Sequence, residues 1–324
     1  MDFTFTPDQI EFRNSVRDLL LNRCPPSVIR DASSGGDLDR ELWHALADMG
    51  LMATTTAEDS GGLGLDERWL ELPLEEAGYF GLPYPIVETA AVAMPILAGR
   101  VDSRSLLTTD LGGTAIPNCL DADYLLLTLH EDGLTFAAQQ GLVVEARTSI
   151  DKSRRTGYVV RGLSDADRIV ADRALAFDRG AWGTAAVLIG LSQRMLDMTT
   201  KYVADRRQFG VPVGSFQAVK HHLSDAAMQI QFSRPVVRRA AWSIATGQST
   251  RSRDVSIAKA FASETASLVS ATTLQCHGAI GYTEEYDLQL LLNRSWALIR
   301  SWGDAEWHRQ RVGYAIGLAS TATF

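Results

Sequence analysis

The chain has 324 residues, of which 46% are hydrophobic and 22% charged, with a formal net charge of −8. This is the composition of a soluble globular protein long enough for one large or two modest domains. An acidic chain with no basic stripe excludes a broad phosphate-neutralising surface, so no nucleic-acid partner is expected, although a local basic pocket for an anionic cofactor is compatible with it. Cys24, Cys119 and Cys276 are widely spaced and form no CxxC pair, which argues against a zinc or thioredoxin-type site. They read as reduced thiols, and no metal site is expected. The opening MDFTFTPDQIEF has neither a basic segment nor an apolar one, so a signal peptide is not expected. No apolar run approaches the ~18 residues of a membrane span. A cytoplasmic, reducing location follows as an expectation.

In chain order, Thr6-Pro7-Asp8 starts a helix, with Thr6 as its cap and Pro7 in the first turn. Ile10, Phe12, Val16, Leu19 and Leu20 follow at helical spacing. Asp39 opens a second helix carrying Leu42, Leu46 and Met49, stopped by Gly50. Ser60 to Gly64 is a loop, and Glu71 to Tyr79 and Ile86 to Ala98 are two further helical stretches. The period then changes. Tyr124 to His130, Leu134 to Ala138 and Gly157 to Val160 read as short strands, with a turn at Glu131-Asp132-Gly133. Long helices resume from Ala181 to Arg206, Phe216 to Gly247, Ser252 to Gly278 and Asn293 to Ile316, with Pro235 as a kink or break. Long helices with short connections suggest a four-helix bundle. The expected fold is therefore mainly α with a small central β domain, divided into an N-terminal helical domain (1–111), a reduced β domain (112–177) and a C-terminal bundle (178–324).

Three regions carry a family resemblance. Asp205-Arg206-Arg207-Gln208-Phe209-Gly210-Val211-Pro212, followed by Phe216-Gln217 and His222-Leu223-Ser224-Asp225, resembles the RxxFGxP…FQ…LAD signature of acyl-CoA dehydrogenases. Gln275-Cys276-His277-Gly278-Ala279-Ile280-Gly281-Tyr282-Thr283-Glu284-Glu285-Tyr286 is similar to that family's QxxGGxGYTxEY. Glu41-Leu42-Trp43, Gly50-Leu51 and Glu58 to Gly64 resemble its N-terminal domain. The resemblance implies FAD as cofactor. It implies that Arg206 pairs with a diphosphate, that Gln208 and Phe209 lie beside it, and that Gln275 and Gly278 lie by the ADP half, on the flavin of a neighbouring subunit. The chemistry agrees: a guanidinium offers a rigid fork of donors to phosphate oxygens, and glycine permits close backbone approach.

The reaction of that family also needs a carboxylate against the α-carbon of the substrate. The resemblance places it at one of two positions, which here hold Gly180 and Trp302. Neither accepts a proton, so no catalytic residue is assigned. Asp178 reads as a helix cap, and Asp304 and Glu306 as helix-start charges. TEPxxGSD-like and WITN-like flavin-cradling segments are missing between Leu111 and Asp178; the nearest runs are Asp121 to Tyr124 and Ser149 to Arg155. Ala279 and Asp304 depart from the family's glycine and threonine, and Asp304 falls near expected FAD contacts. The chain thus resembles the degenerate, non-catalytic subunit of an actinobacterial-type α2β2 acyl-CoA dehydrogenase of steroid catabolism. The implied partner is a catalytic acyl-CoA dehydrogenase subunit that holds most of the acyl-CoA, in a dimer of dimers. Trp182, Trp242, Trp296, Trp302 and Trp307 are candidates for either interface or core. Two alternatives stand beside this reading: a self-sufficient homomeric enzyme with Asp304 or Glu306 as a displaced base, and a flavin-free hydro-lyase or scaffold of the same fold.

Overall fold

The computed structural model describes residues 3–97, 99–113, 115–130, 133–163 and 166–318. Ala98 and the turn residues Glu131 and Asp132 lie outside them. The N-terminal helices are α1 (Pro7–Arg23), α2 (Pro26–Ser33), α3 (Arg40–Asp48) and α4 (Glu67–Tyr79). Thr6 and Gln9 close a reciprocal capping box on α1, at 3.3 and 2.9 Å. Asp39 caps α3 through the Glu41 and Leu42 amides. The α1 residues Val16 and Leu20, with Leu42, Trp43 and Leu46 of α3, enter the shared core. The helix expected from Glu71 begins at Glu67, capped by Asp66, and runs through Pro73; burial of the Leu70–Leu74 face outweighs the lost proline hydrogen bond. The stretch expected from Ile86 is a π-helical segment, Val87–Ala93, leading into α5 (Met94–Leu97).

The central unit is a four-stranded sheet, β1 (Leu107–Thr109), β2 (Tyr124–His130), β3 (Gly133–Ala138) and β6 (Asp167–Ile169), in the order β1-β2-β3-β6. A separate pair, β4 (Val143–Ala146) and β5 (Gly157–Arg161), lies beside it. The strands expected around 124, 134 and 157 are present. β1, β4 and β6, with three or four residues each, are too short to show a period.

The bundle consists of α6 (Arg173–Asp205), α7 (Gln217–Ala245), α8 (Arg251–His277), α9 (Leu288–Arg300) and α10 (Ala305–Ala315). A two-residue hairpin, β7 (Arg207–Gln208) and β8 (Val211–Pro212), projects after α6. Three expectations change here. First, α6 starts eight residues before Ala181, with Asp172 as its cap. Second, α7 continues unbroken through Pro235. Third, the final helix expected from Asn293 to Ile316 is two helices, because Trp302 and Gly303 both adopt positive φ, 58° and 83°. Trp182 and Trp302 are core residues, whereas Trp242, Trp296 and Trp307 are half-buried. Among the described residues no helix is long and apolar enough to cross a membrane, and no cluster could hold a metal ion. Burial pushes the Cys24 and Cys119 thiols up to about 12, and all three cysteines are free.

Candidate functional site

The two positions at which a base is sought touch one another. Gly180 lies within α6, where the absence of a side chain leaves room for the Trp302 ring. A Cβ at Gly180 would stand 2.4 Å from two atoms of that ring, closer than non-bonded carbons approach. The opposite edge of the ring faces Gly112, where a Cβ would stand 2.7 Å away. Trp302 is 1% exposed, and Phe177 packs edge-on to it at 5.8 Å between centroids. Its backbone N–H donates to the Gly112 carbonyl at 2.7 Å, and its carbonyl accepts from His308 Nε2 at 2.7 Å. Among the described residues the buried indole N–H has no acceptor. A tryptophan that forgoes its hydrogen bond in the core contributes volume and dispersion contact, and carries an unpaired-donor cost of about 1–3 kcal/mol. The space between Gly180 and Gly112 is filled by the ring.

The nearby carboxylates are committed elsewhere. Asp178 is not a cap, because α6 begins five residues before it, at Arg173. It is fully buried and accepts from Arg251 at 2.8 Å, Ser252 at 2.7 Å and Arg311 at 2.9 Å. It therefore ties α6 to α8 and α10, and breaking such a buried pair costs about 3–5 kcal/mol. Asp304 caps α10 through the Trp307 amide at 2.9 Å, as a helix-start charge, and Glu306 is exposed in the first turn. Sequence reasoning missed Lys259, which is fully buried beneath the α9–α10 turn. Its ammonium donates to Ser263, Ile299 O and Gly303 O at 3.0, 3.1 and 3.0 Å. Burial lowers its pKa to about 7 against the opposing pull of Asp304, and burial together with Lys259 lowers His308 to about 3. The signal was a lone lysine on an apolar helix face.

A second buried network lies where Ser149 to Arg155 meets α9. Arg294 pairs with Asp151 at 3.0 Å and donates to Ser153 at 3.1 Å and to the Leu82 carbonyl. Arg154 reaches Ser301 at 3.1 Å and Glu88 at 4.0 Å. The run that matched no flavin-cradling segment thus joins the N-terminal helices, the central unit and the bundle by salt bridges. Arg294, isolated within Leu288–Arg300, was its readable trace.

The residues assigned to a dinucleotide lie elsewhere. Arg206 ends α6, 26 residues after Gly180 along one continuous helix, or ~39 Å away. Arg206, Gln208 and Phe209 are exposed on the hairpin, and Phe209 is 92% exposed with φ 53°. Gln275 is exposed near the end of α8, and Ala279 follows on the surface. Gly278 has φ 66° and ψ −144°, a conformation only glycine adopts readily. The Tyr202 ring stacks on His277 at 4.3 Å, so both segments occupy one end of the bundle. Asp304 lies beside Trp302 in the turn between α9 and α10, away from the hairpin. Guanidinium donors, an exposed aromatic face and a glycine-only turn suit the phosphate-bearing half of a dinucleotide. The filled space around Trp302 does not suit a flavin ring.

Residues 6–99 match the family described as Acyl-CoA dehydrogenase, N-terminal domain, and residues 170–317 match Acyl-CoA dehydrogenase, C-terminal domain. The chain belongs to the acyl-CoA dehydrogenase family. It is 32% identical over 295 residues to acyl-CoA dehydrogenase IpdE2 of Mycolicibacterium smegmatis, covering 87% of this chain and 90% of that one. Its identity to IpdE2 of Mycobacterium tuberculosis is 29%, covering 87% and 89%. The fold matches the ChsE4-ChsE5 complex from Mycobacterium tuberculosis with a TM-score of 0.87 at 23% identity, over 99% of this chain and 100% of that one. It matches a Tcur3481-Tcur3483 steroid ACAD variant with a TM-score of 0.86 at 24% identity, over 97% and 99%. This is an oxidoreductase family of FAD-binding proteins, and the acyl-CoA dehydrogenase fold expected from the sequence is the one observed.

Two measurements check the geometry. Trp302→Ala should cost about 3–5 kcal/mol and Gly180→Ala about 1–3 kcal/mol. The double variant should cost less than their sum, because the new methyl enters the vacated space; urea denaturation of all three reads the coupling, and strict additivity contradicts the packing. For Lys259, a folded pKa near 7 below an unfolded value near 10.4 means that the unfolded chain binds more protons between them. Its contribution to stability is therefore smallest below pH 7 and grows as pH rises from about 7 to about 10. Lys259→Met should remove that rise from the pH profile of the urea midpoint.

Proposed function

We propose that this chain is the non-catalytic subunit of a heteromeric FAD-dependent acyl-CoA dehydrogenase, which introduces an α,β double bond into a CoA thioester. The observation that carries this reading is the contact between Trp302 and Gly180. It removes both base positions and fills the volume between them. The flavin, when bound, supplies the acceptor for the β-hydride. The α-proton goes to a carboxylate of the catalytic partner. This chain's own contribution is binding and orientation: Arg206 holds a diphosphate by charge-assisted hydrogen bonds, Phe209 covers a ring face, and Gln275 and the Gly278 turn meet the ADP half. The ~39 Å along α6 between Gly180 and Arg206 supports a hairpin that serves a flavin seated in another chain, not one beside Trp302.

A steroid-derived thioester is the proposed substrate class, supported by a structural neighbour described as a steroid ACAD; a heteromeric assembly is supported by a neighbour described as a complex, and a dimer of dimers in the cytoplasm is proposed with it. A self-sufficient enzyme with a displaced base fits less well, since Asp304 is occupied as a cap and Glu306 faces solvent. A flavin-free scaffold shares the filled pocket but gives no role to an almost wholly exposed Phe209.

Co-expression with a full-length family subunit that carries the glutamate tests the proposal. The complex should purify yellow and dehydrogenate a steroid-derived CoA thioester, and the chain alone should be colourless and inactive. In the complex, Arg206→Ala should weaken FAD retention about tenfold to hundredfold, the worth of a hydrogen bond to a charged group. A chain that alone binds flavin and oxidises an acyl-CoA would overturn the proposal.

A further inference from the structure

The residues assigned to the dinucleotide come from two segments about 70 positions apart in sequence: the hairpin after α6, and the elbow that ends α8. Something must hold these segments in register for one ligand to meet both. We propose that His277 is the positioning residue that does so, through a three-ring latch with Tyr202 and Tyr286. The inference rests on the subunit reading above.

His277 is the last residue of α8, between Gln275 and Gly278, and is 5% exposed. Its ring stacks on Tyr202 of α6 at 4.3 Å and 19°, and packs obliquely on Tyr286 at 5.0 Å. Tyr202 meets Tyr286 edge-on at 6.0 Å, which closes the triangle. The hydrogen bonds fix the tautomer. The Thr273 carbonyl, 2.8 Å from Nδ1, only accepts, so Nδ1 carries the proton. Nε2 is therefore an acceptor, and the Tyr286 hydroxyl donates to it at 3.2 Å. The Tyr202 hydroxyl donates to the His277 carbonyl at 3.4 Å. Burial lowers the His277 pKa, in keeping with a neutral ring.

Two sides of the triangle lead to the ligand-facing segments. The Tyr202 carbonyl accepts from the Arg206 amide at 2.8 Å, and the Arg206 carbonyl accepts from Val213 at 2.8 Å, closing the base of the hairpin. On the other side, Gly281 packs so tightly that a Cβ there would stand 3.1 Å from that of His277, which seats the elbow on the imidazole residue. Beyond Tyr286, Asp287 is held by Arg30 of α2 at 3.1 Å through Nε. His277 itself faces buried contacts and does not reach the exposed ligand face, so it acts through the segments on either side.

The test uses the co-expressed complex with its flavin. His277→Leu should raise the FAD dissociation constant about tenfold, the worth of a stacked pair and its hydrogen bonds, while KM for the thioester stays unchanged. Tyr202→Phe, which keeps the stack, should stay close to wild type, and Tyr202→Ala should match His277→Leu. Hydrogen exchange over residues 204–216, measured without added FAD, should rise in His277→Leu and Tyr202→Ala. If His277→Leu proves unstable, Tyr286→Phe provides the milder variant, with a smaller change in the same direction. Wild-type affinity together with wild-type hairpin exchange in these variants overturns the latch. A wild-type complex that holds no FAD overturns the subunit reading instead, and the latch is then judged on exchange alone.

Discussion

An indole ring resting on a glycine organises one end of this protein's helical bundle. Trp302 and Gly180 share one volume, and neither residue is free to change alone. The ring needs the missing Cβ, and the gap in α6 needs the ring. The backbone is adapted to the pair: Trp302 takes φ 58°, an uncommon conformation for a bulky residue, and Gly303 follows at 83°. Strain of this kind persists only where its surroundings enforce it. Here the Gly112 carbonyl, His308 and the buried Lys259 ammonium grip the turn from three sides.

The consequence is a division of the molecule along α6. One end is closed by packing and by the Asp178 and Arg294 ion pairs. The other end is open, with a projecting hairpin and an exposed phenylalanine. A protein does not leave Phe209 almost wholly exposed without cost, and large exposed aromatics next to guanidinium groups mark contact surfaces. On the proposed subunit reading, the closed end leaves no room for a carboxylate at Gly180 or Trp302, and the open end is where the family signature lies. The family signature and the Gly180–Trp302 contact are separated by most of the length of α6.

Much of this was legible in the sequence, and the limits were physical. The caps at Thr6 and Asp39 and the long periodic helices could be read because local chemistry specifies them. The early start of α6 could not, because Gly180 lowers helix propensity and only the tryptophan ring, 122 positions away in sequence, compensates for it. The break between α9 and α10 was hidden for a related reason: tryptophan gives no sign of a positive φ. Asp178 looked like a cap because a carboxylate ahead of a glycine often is one, whereas its role depends on Arg251 and Arg311, which only the folded bundle brings near. Arg206, Gln208, Phe209, Gln275 and Gly278 were named from motifs, and the Tyr202–His277 stack that brings their two segments to one end of the bundle is encoded by no motif.

The most direct test is an experimental structure of the complex with its catalytic partner and flavin. The account predicts a dinucleotide whose ring lies in the partner and whose phosphates lie within hydrogen-bond distance of Arg206 from this chain, with Trp302 still seated on Gly180. A flavin enclosed within a single copy of this chain, with Trp302 displaced from Gly180 to admit it, would contradict the account.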